Sequence, residues 1–315
     1  MAVVAGGASG EVRELTPLQA RMLDQLRKAP EPVVFDPALA EELRATVSEA
    51  IEAFGERLGD EQLWVSKHRL STILGCEAHA MAPDEFAWSP ATATGQVSHR
   101  AIQLLVNWRG EPAPADLVDE AIARLADDDR SIGQWIAALS PGDEADLRGN
   151  ALERVTRFVE GFPPLDKRAH PMTEARVQWP LDGPVVFAGK VDLVMGRPNG
   201  AESTKLIIDL KTGRHSPRHR DDLRFYALVE TLRTGVPPRK LASYYLDVGE
   251  ADVEDVTEAV LRTAVRRTLD AVDTLVELTT GEREPAVRPG PTCNWCTLLP
   301  TCDVGQAHLA GDLDD

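Results

Sequence analysis

The stretch that most limits what this chain can become is Lys205-Leu206-Ile207-Ile208-Asp209-Leu210-Lys211-Thr212-Gly213. Leu206, Ile207 and Ile208 predict a short buried strand, and Thr212-Gly213 turns the chain after it. Side chains alternate along a strand, so Asp209 and Lys211 project from one face about 7 Å apart. Charges at the end of a buried strand are costly unless they meet each other, a metal or a charged substrate. A second carboxylate interrupts an apolar run upstream, where Val185-Val186-Phe187 leads through Ala188-Gly189-Lys190 to Val191-Asp192-Leu193-Val194. Two neighbouring strands of one hairpin would bring Asp192 and Asp209 together around a hard divalent cation, which prefers oxygen ligands. On its own an Asp-x-Lys reads as a solvated salt bridge. The spacing to Asp192, and a helix beginning near Pro217, move the reading towards a site.

Gly189-x-x-Asp192 followed by Asp209-x-Lys211-Thr212-Gly213 resembles the core of the PD-(D/E)xK nuclease superfamily, in particular its RecB-like branch. Gly95-Gln96-Val97-Ser98-His99 matches the Gly-x-x-x-His helix that precedes the core in that branch. The resemblance spans about Ser66 to Cys302. It implies an α/β, restriction-endonuclease-like core: a central mixed sheet flanked by helices, with a helical N-terminal part and a helical insertion at about 111–160. It also implies metal-dependent hydrolysis of DNA phosphodiesters, with Lys211, Asp209, Asp192 and His99 as the catalytic set. His99, Asp192, Asp209 and the backbone carbonyl of Leu210 would hold Mg2+ or Mn2+, and Lys211 would orient the attacking water. The family often carries Gln-x-x-x-Tyr in the helix after the core; here Tyr226 is present and Asp222 stands at the Gln position. Arg214, Arg218, Arg220, Arg224 and Tyr226 are the candidate DNA contacts, with a solvated helix face as the other reading of the arginines.

Of the four cysteines, Cys76 stands alone and the others form Cys293-x2-Cys296-x5-Cys302. One early and three late thiols suit a single four-thiolate centre that ties the two ends of the domain together. Thiolates bind zinc tetrahedrally as well as iron–sulfur clusters, so chemistry leaves a 4Fe-4S cluster, zinc or free thiols open. The pattern resembles the iron–sulfur staple of RecB-like nucleases, which implies a 4Fe-4S cluster.

A formal net charge of -17 argues against a protein that coats nucleic acid, because phosphate binding needs clustered Lys and Arg. The distribution matters more. Residues 111–150 hold ten acids and three bases, whereas 205–240 hold nine Lys or Arg and four acids. An acidic body with a basic mouth can admit DNA at one place and repel it elsewhere. No run of about 18 apolar residues is present, so no membrane span is predicted, and the first residues lack the basic start of a signal peptide. The expected compartment is the cytoplasm.

The expected organisation is a flexible tail and helices over 1–60, the nuclease domain over 61–303 and an acidic tail over 304–315. Helices are predicted over 16–28, 36–58, 66–79, 94–108, 217–232 and 256–278, with acidic helices over 113–160 broken at Pro141-Gly142. Strands are predicted at 173–179 and 241–248 besides the core pair. Glu174 could approach the metal but is expected to be a cross-strand partner for Arg176, and His68 and His79 are expected to be surface or helix-end residues. The function this predicts is a DNA nuclease, expected to be an exonuclease, in repair, recombination or processing. The alternatives are a non-catalytic DNA-processing subunit and a redox-sensing iron–sulfur protein. No P-loop is present, so any unwinding would come from a helicase or another DNA-processing partner.

Overall fold

A computed structural model describes residues 3–5, 12–83, 86–128 and 131–311; parts of the expected N-terminal tail and residues 312–315 of the expected acidic tail lie outside them. β1 (Val3–Ala5) and β2 (Val12–Glu14) pair antiparallel ahead of α1 (Pro17–Leu26) and α2 (Pro37–Leu58). Thr16 and Asp36 cap these helices by accepting first-turn N–H groups, and a proline stands at each start, where its missing N–H costs nothing. β3 (Leu63–Val65) then leads into α3 (Lys67–Gly75) and α4 (Glu77–Met81). A single helix is predicted here, but the chain breaks it at Cys76, whose φ of -148° and ψ of 116° are extended. Gly75, a poor helix former, precedes the break.

α5 (Pro90–Asn107) starts four residues before the expected Thr94 because Ser89 and Thr92 form a capping box ahead of it. α6 (Pro114–Ala126), α7 (Ser131–Ala137) and α8 (Pro141–Gly161) complete the insertion. The expected break at Pro141-Gly142 falls where α7 has ended and α8 opens, with Ser140 accepting from the Asp143 N–H. These helices and α5 share a core of their own, with Val97, Leu117, Leu147 and Val155 at its centre.

The remaining elements are β4 (Met172–Trp179), β5 (Val185–Met195), β6 (Leu206–Lys211), α9 (Arg218–Thr234), β7 (Lys240–Tyr245), β8 (Glu250–Asp255), α10 (Glu258–Thr279) and α11 (Asp303–Ala310). The main sheet runs β3-β5-β6-β7-β8, with β4 also paired to β5. β3 lies parallel to β5 and β6 parallel to β7; the other pairs are antiparallel, so the sheet is mixed. β3 and β8 carry little sequence signal. One has three residues, and the other, Glu-Ala-Asp-Val-Glu-Asp, has the charges that protect a sheet edge.

One sheet face buries Phe187, Val191 and Ile207 against α2, α3, α9 and α10. The opposite face buries Leu193, Ile208 and Leu210 against α1 and α8, where the Phe158 and Phe162 rings meet Tyr244 edge-on. The expected architecture, a mixed sheet flanked by helices, is the one observed.

Candidate active site

The hairpin register pairs Leu193 with Ile208, which leaves Asp192 and Asp209 as the next residues along their strands. Asp209 is buried on the α3/α9 side of β6, between two ammonium groups. Lys67 Nζ lies 2.5 Å from Oδ1 and Lys211 Nζ 2.8 Å from Oδ2. Burial alone would push the Asp209 carboxyl up, but the fields of Lys67 and Lys211 outweigh it and hold the pKa down at about 2. Lys211 also donates to Asp222 Oδ2 at 2.9 Å. The aspartate at the expected Gln position therefore orients the candidate catalytic lysine.

Asp192 Oδ2 accepts the Leu210 N–H at 2.8 Å, and its Oδ1 lies 3.5 Å from His99 Nδ1. Burial pulls the His99 pKa down, yet the bond and charge of Asp192, with Asp209 and Glu174 behind it, raise it above the ordinary imidazole value. The ring reaches the site because Gly95, one turn earlier, packs on the strand-end turn. A Cβ there would lie 3.3 Å from Thr212 Oγ1. The Lys211 carbonyl accepts from Leu246 N in the β7 direction. Carbonyls alternate along a strand, so the Leu210 carbonyl faces the opposite way, towards β5 and Asp192.

The strand carrying Asp192 is irregular at that point. β4 and β5 pair Ala175 with Val191 and Thr173 with Leu193, while Glu174 and Asp192 between them stay unpaired in the ladder. Glu174 has a φ of 55°, a left-handed conformation costly for a residue with a Cβ and concentrated at functional sites. The alternation flips across the break, so Val191 and Leu193 enter opposite cores. Glu174 pairs with Lys190, not with Arg176 as expected, because the kink turns it towards the site.

Tyr226 is only 2% exposed. Its hydroxyl donates to the Lys190 carbonyl at 2.9 Å, and its ring lies 5.2 Å below the Lys67 ammonium. A Cβ on Gly189 would fall 2.6 Å from Tyr226 Cε1, so that motif glycine makes room for the ring. Lys67 is the main site residue that sequence reasoning missed. Its only signal is its place directly after the Ser66 cap of α3.

The basic segment is largely engaged inside the molecule. Arg220 forms two bonds with Asp252, and Arg224 forms two with Glu254. Both would have to release these carboxylates to contact phosphate. Arg214 and Arg218 are exposed and, among the described residues, have no acidic partner.

All four cysteines are free and line one small pocket. Backbone N–H groups of Arg288, Gly290 and Gly305 point at the sulfurs of Cys76, Cys293 and Cys302, at 3.5, 3.4 and 3.3 Å. Such donors suit thiolates that ligate a metal or cluster. His79 also lines the cavity, and its Nδ1 is buried without a partner. Among the described residues, no three His, Cys, Asp or Glu side chains stand as a ready metal cage. At the carboxylates, Lys67 and Lys211 take up both oxygens of Asp209. The donor chemistry still fits, since Asp209 Oδ2 is buried without a well-formed hydrogen bond and hard divalent cations take oxygen ligands.

Three comparisons with known proteins bear on this geometry. No curated protein matches the sequence. Among solved structures, a candidate exonuclease from Eubacterium rectale superposes with a TM-score of 0.50 at 14% identity, over 79% of this chain and 94% of that one. This likeness speaks for the fold. A second structure, SSO0001, aligns over 76% of this chain and 96% of its own at 17% identity, with a TM-score of 0.31. The model of the PD-(D/E)XK nuclease superfamily matches residues 65–303, from the end of β3 to the start of α11. By this match, over a mixed sheet that brings Asp192 and Asp209 together, the chain belongs to the PD-(D/E)XK nuclease superfamily.

Proposed function

We propose that this nuclease is a divalent-metal-dependent deoxyribonuclease of the RecB-like branch that degrades DNA from its ends. The observation that carries the reading is the convergence of His99, Asp192, Asp209 and Lys211, none of them replaced, where the end of β6 lies beside the middle of β5 and His99 reaches in from α5. Asp192, Asp209, His99 and the Leu210 carbonyl would hold Mg2+ or Mn2+, which polarises the scissile phosphate and makes a bound water more acidic. The chain's own groups do the rest. Lys211, steered by Asp209 and Asp222, orients the attacking water and faces the charge developing on the phosphate oxygens. Tyr226, held by the Lys190 carbonyl, packs its ring beneath the Lys67 ammonium that bonds Asp209.

Cys76, Cys293, Cys296 and Cys302 would hold a 4Fe-4S cluster of structural role, with zinc the alternative for the same four thiolates. Residues 61–303 would form the nuclease domain. The substrate is DNA in repair, recombination or processing, in the cytoplasm, with duplex ends opened by a partner such as a helicase.

The test is degradation of end-labelled single- and double-stranded DNA with Mn2+, using anaerobically purified protein beside Lys211→Ala. The parent shortens the label progressively, and the variant loses activity about 100-fold or more. An inert parent with an intact thiolate centre would make this chain a non-catalytic processing subunit. If it also fails to bind Mn2+, a redox-sensing role replaces both readings.

A further inference from the structure

Next to the candidate catalytic carboxylates, α3, α9 and α10 line a cleft that opens to solvent. Leu70, Leu74, Phe225 and Ala264 give it an apolar lining, and Ser71 and Thr268 add hydroxyls. Lys67, Arg218, Arg224 and Arg267 outnumber Asp221 and Asp222 among its charged groups. Lys67 belongs to both places, since the same ammonium bonds Asp209 Oδ1. The cleft thus begins one side chain from the candidate metal ligand.

Its cations differ in how free they are. Arg224 is tied to Asp221 and Glu254, and Arg267 to Asp221. Arg218 has no acidic partner among the described residues, and its guanidinium lies close over Gly75, where an added Cβ would be 3.6 Å from Nη1. An apolar slot suits a base and an uncommitted guanidinium suits a phosphate. One molecule that needs both, within reach of a phosphodiester-cleaving site, is a nucleotide at a strand end.

Resting on the nuclease reading above, we propose that this cleft is a terminal-nucleotide subsite. It seats the last base of a DNA strand against Leu70 and Leu74, with Arg218 on the terminal phosphate, so that the adjoining phosphodiester is delivered to Asp209. The subsite would make the enzyme read ends rather than internal positions.

The experiment is equilibrium binding of 5′-dAMP and of 3′-dAMP to the full chain without divalent metal, with deoxyadenosine and inorganic phosphate as controls. The parent is compared with Arg218→Glu and Ser71→Trp, the second filling the cleft from α3. One of the mononucleotides should bind at least tenfold more tightly than either control, and each variant should lose tenfold or more. Arg218 is exposed, so its variant carries the test if Ser71→Trp does not fold. Binding of neither mononucleotide by the parent, or parent-like binding by Arg218→Glu, overturns the subsite. DNA cleavage is scored separately on the same preparations. A parent that binds dAMP but cuts no DNA keeps the nucleotide site and sinks the nuclease reading.

Discussion

Two ammonium groups share one carboxylate at Asp209, and the proposed divalent cation would need the same oxygens. Lys67 and Lys211 are not equivalent there. Lys211 has a second anchor in Asp222, whereas Lys67 has the Tyr226 ring beneath it and the open cleft beside it. Lys67 is thus the cation that a bound metal would displace. Removing its charge should tighten metal binding by the cost of that competition, about 1–2 kcal/mol for a partly buried pair. Lys67→Met is expected to bind Mn2+ about tenfold more tightly in a titration followed by electron paramagnetic resonance. Unchanged affinity would mean that the ammonium stands clear of the metal.

Elements meet at the site through glycines as much as through charges. Gly189, in the middle of β5, lets α9 bring Tyr226 close against the strand, and Gly95 lets α5 approach the turn after β6. Gly189→Ala would drive a methyl group into a ring that is fully packed and hydrogen-bonded. Overpacking of this kind costs about 1–3 kcal/mol. A lower thermal midpoint, with reduced cleavage in folded protein, is the expected outcome; a midpoint equal to the parent's would show that the ring yields freely. The two glycines were legible as motif positions, but what each one accommodates was not, because Tyr226 lies 37 residues beyond Gly189 and Thr212 far from Gly95.

At the scale of the molecule, the C-terminal segment returns to α3 and α4 by two independent ties. The proposed four-thiolate centre would supply one. Glu77 supplies the other: its buried carboxylate bonds Arg283 at 2.5 Å and the Ala286 N–H at 2.9 Å. The Arg283 and Ala286 contacts hold the Glu77 pKa below its ordinary value against the opposing effect of burial. Anaerobic protein is expected to contain iron and acid-labile sulfide in equal amounts. Removing them should release α11 to proteolysis while the Glu77 tie keeps 283–288 in place. Zinc in place of iron would keep the staple and change its metal; cleavage unaffected by removal would sink the staple itself. The sequence by itself determined the core hairpin, most helix starts, the paired aspartates with Lys211, and the grouping of the cysteines. Each of these is written in local spacing, a cap, a turn or an alternation. Only the tertiary structure decided that Lys67 enters the site, that Glu174 kinks β4, and that Asp222 holds Lys211. It also decided that Arg220 and Arg224 are engaged by the acidic edge strand β8. These facts depend on which side chains face each other across elements far apart in the chain, and charge has no periodicity from which such partners can be read.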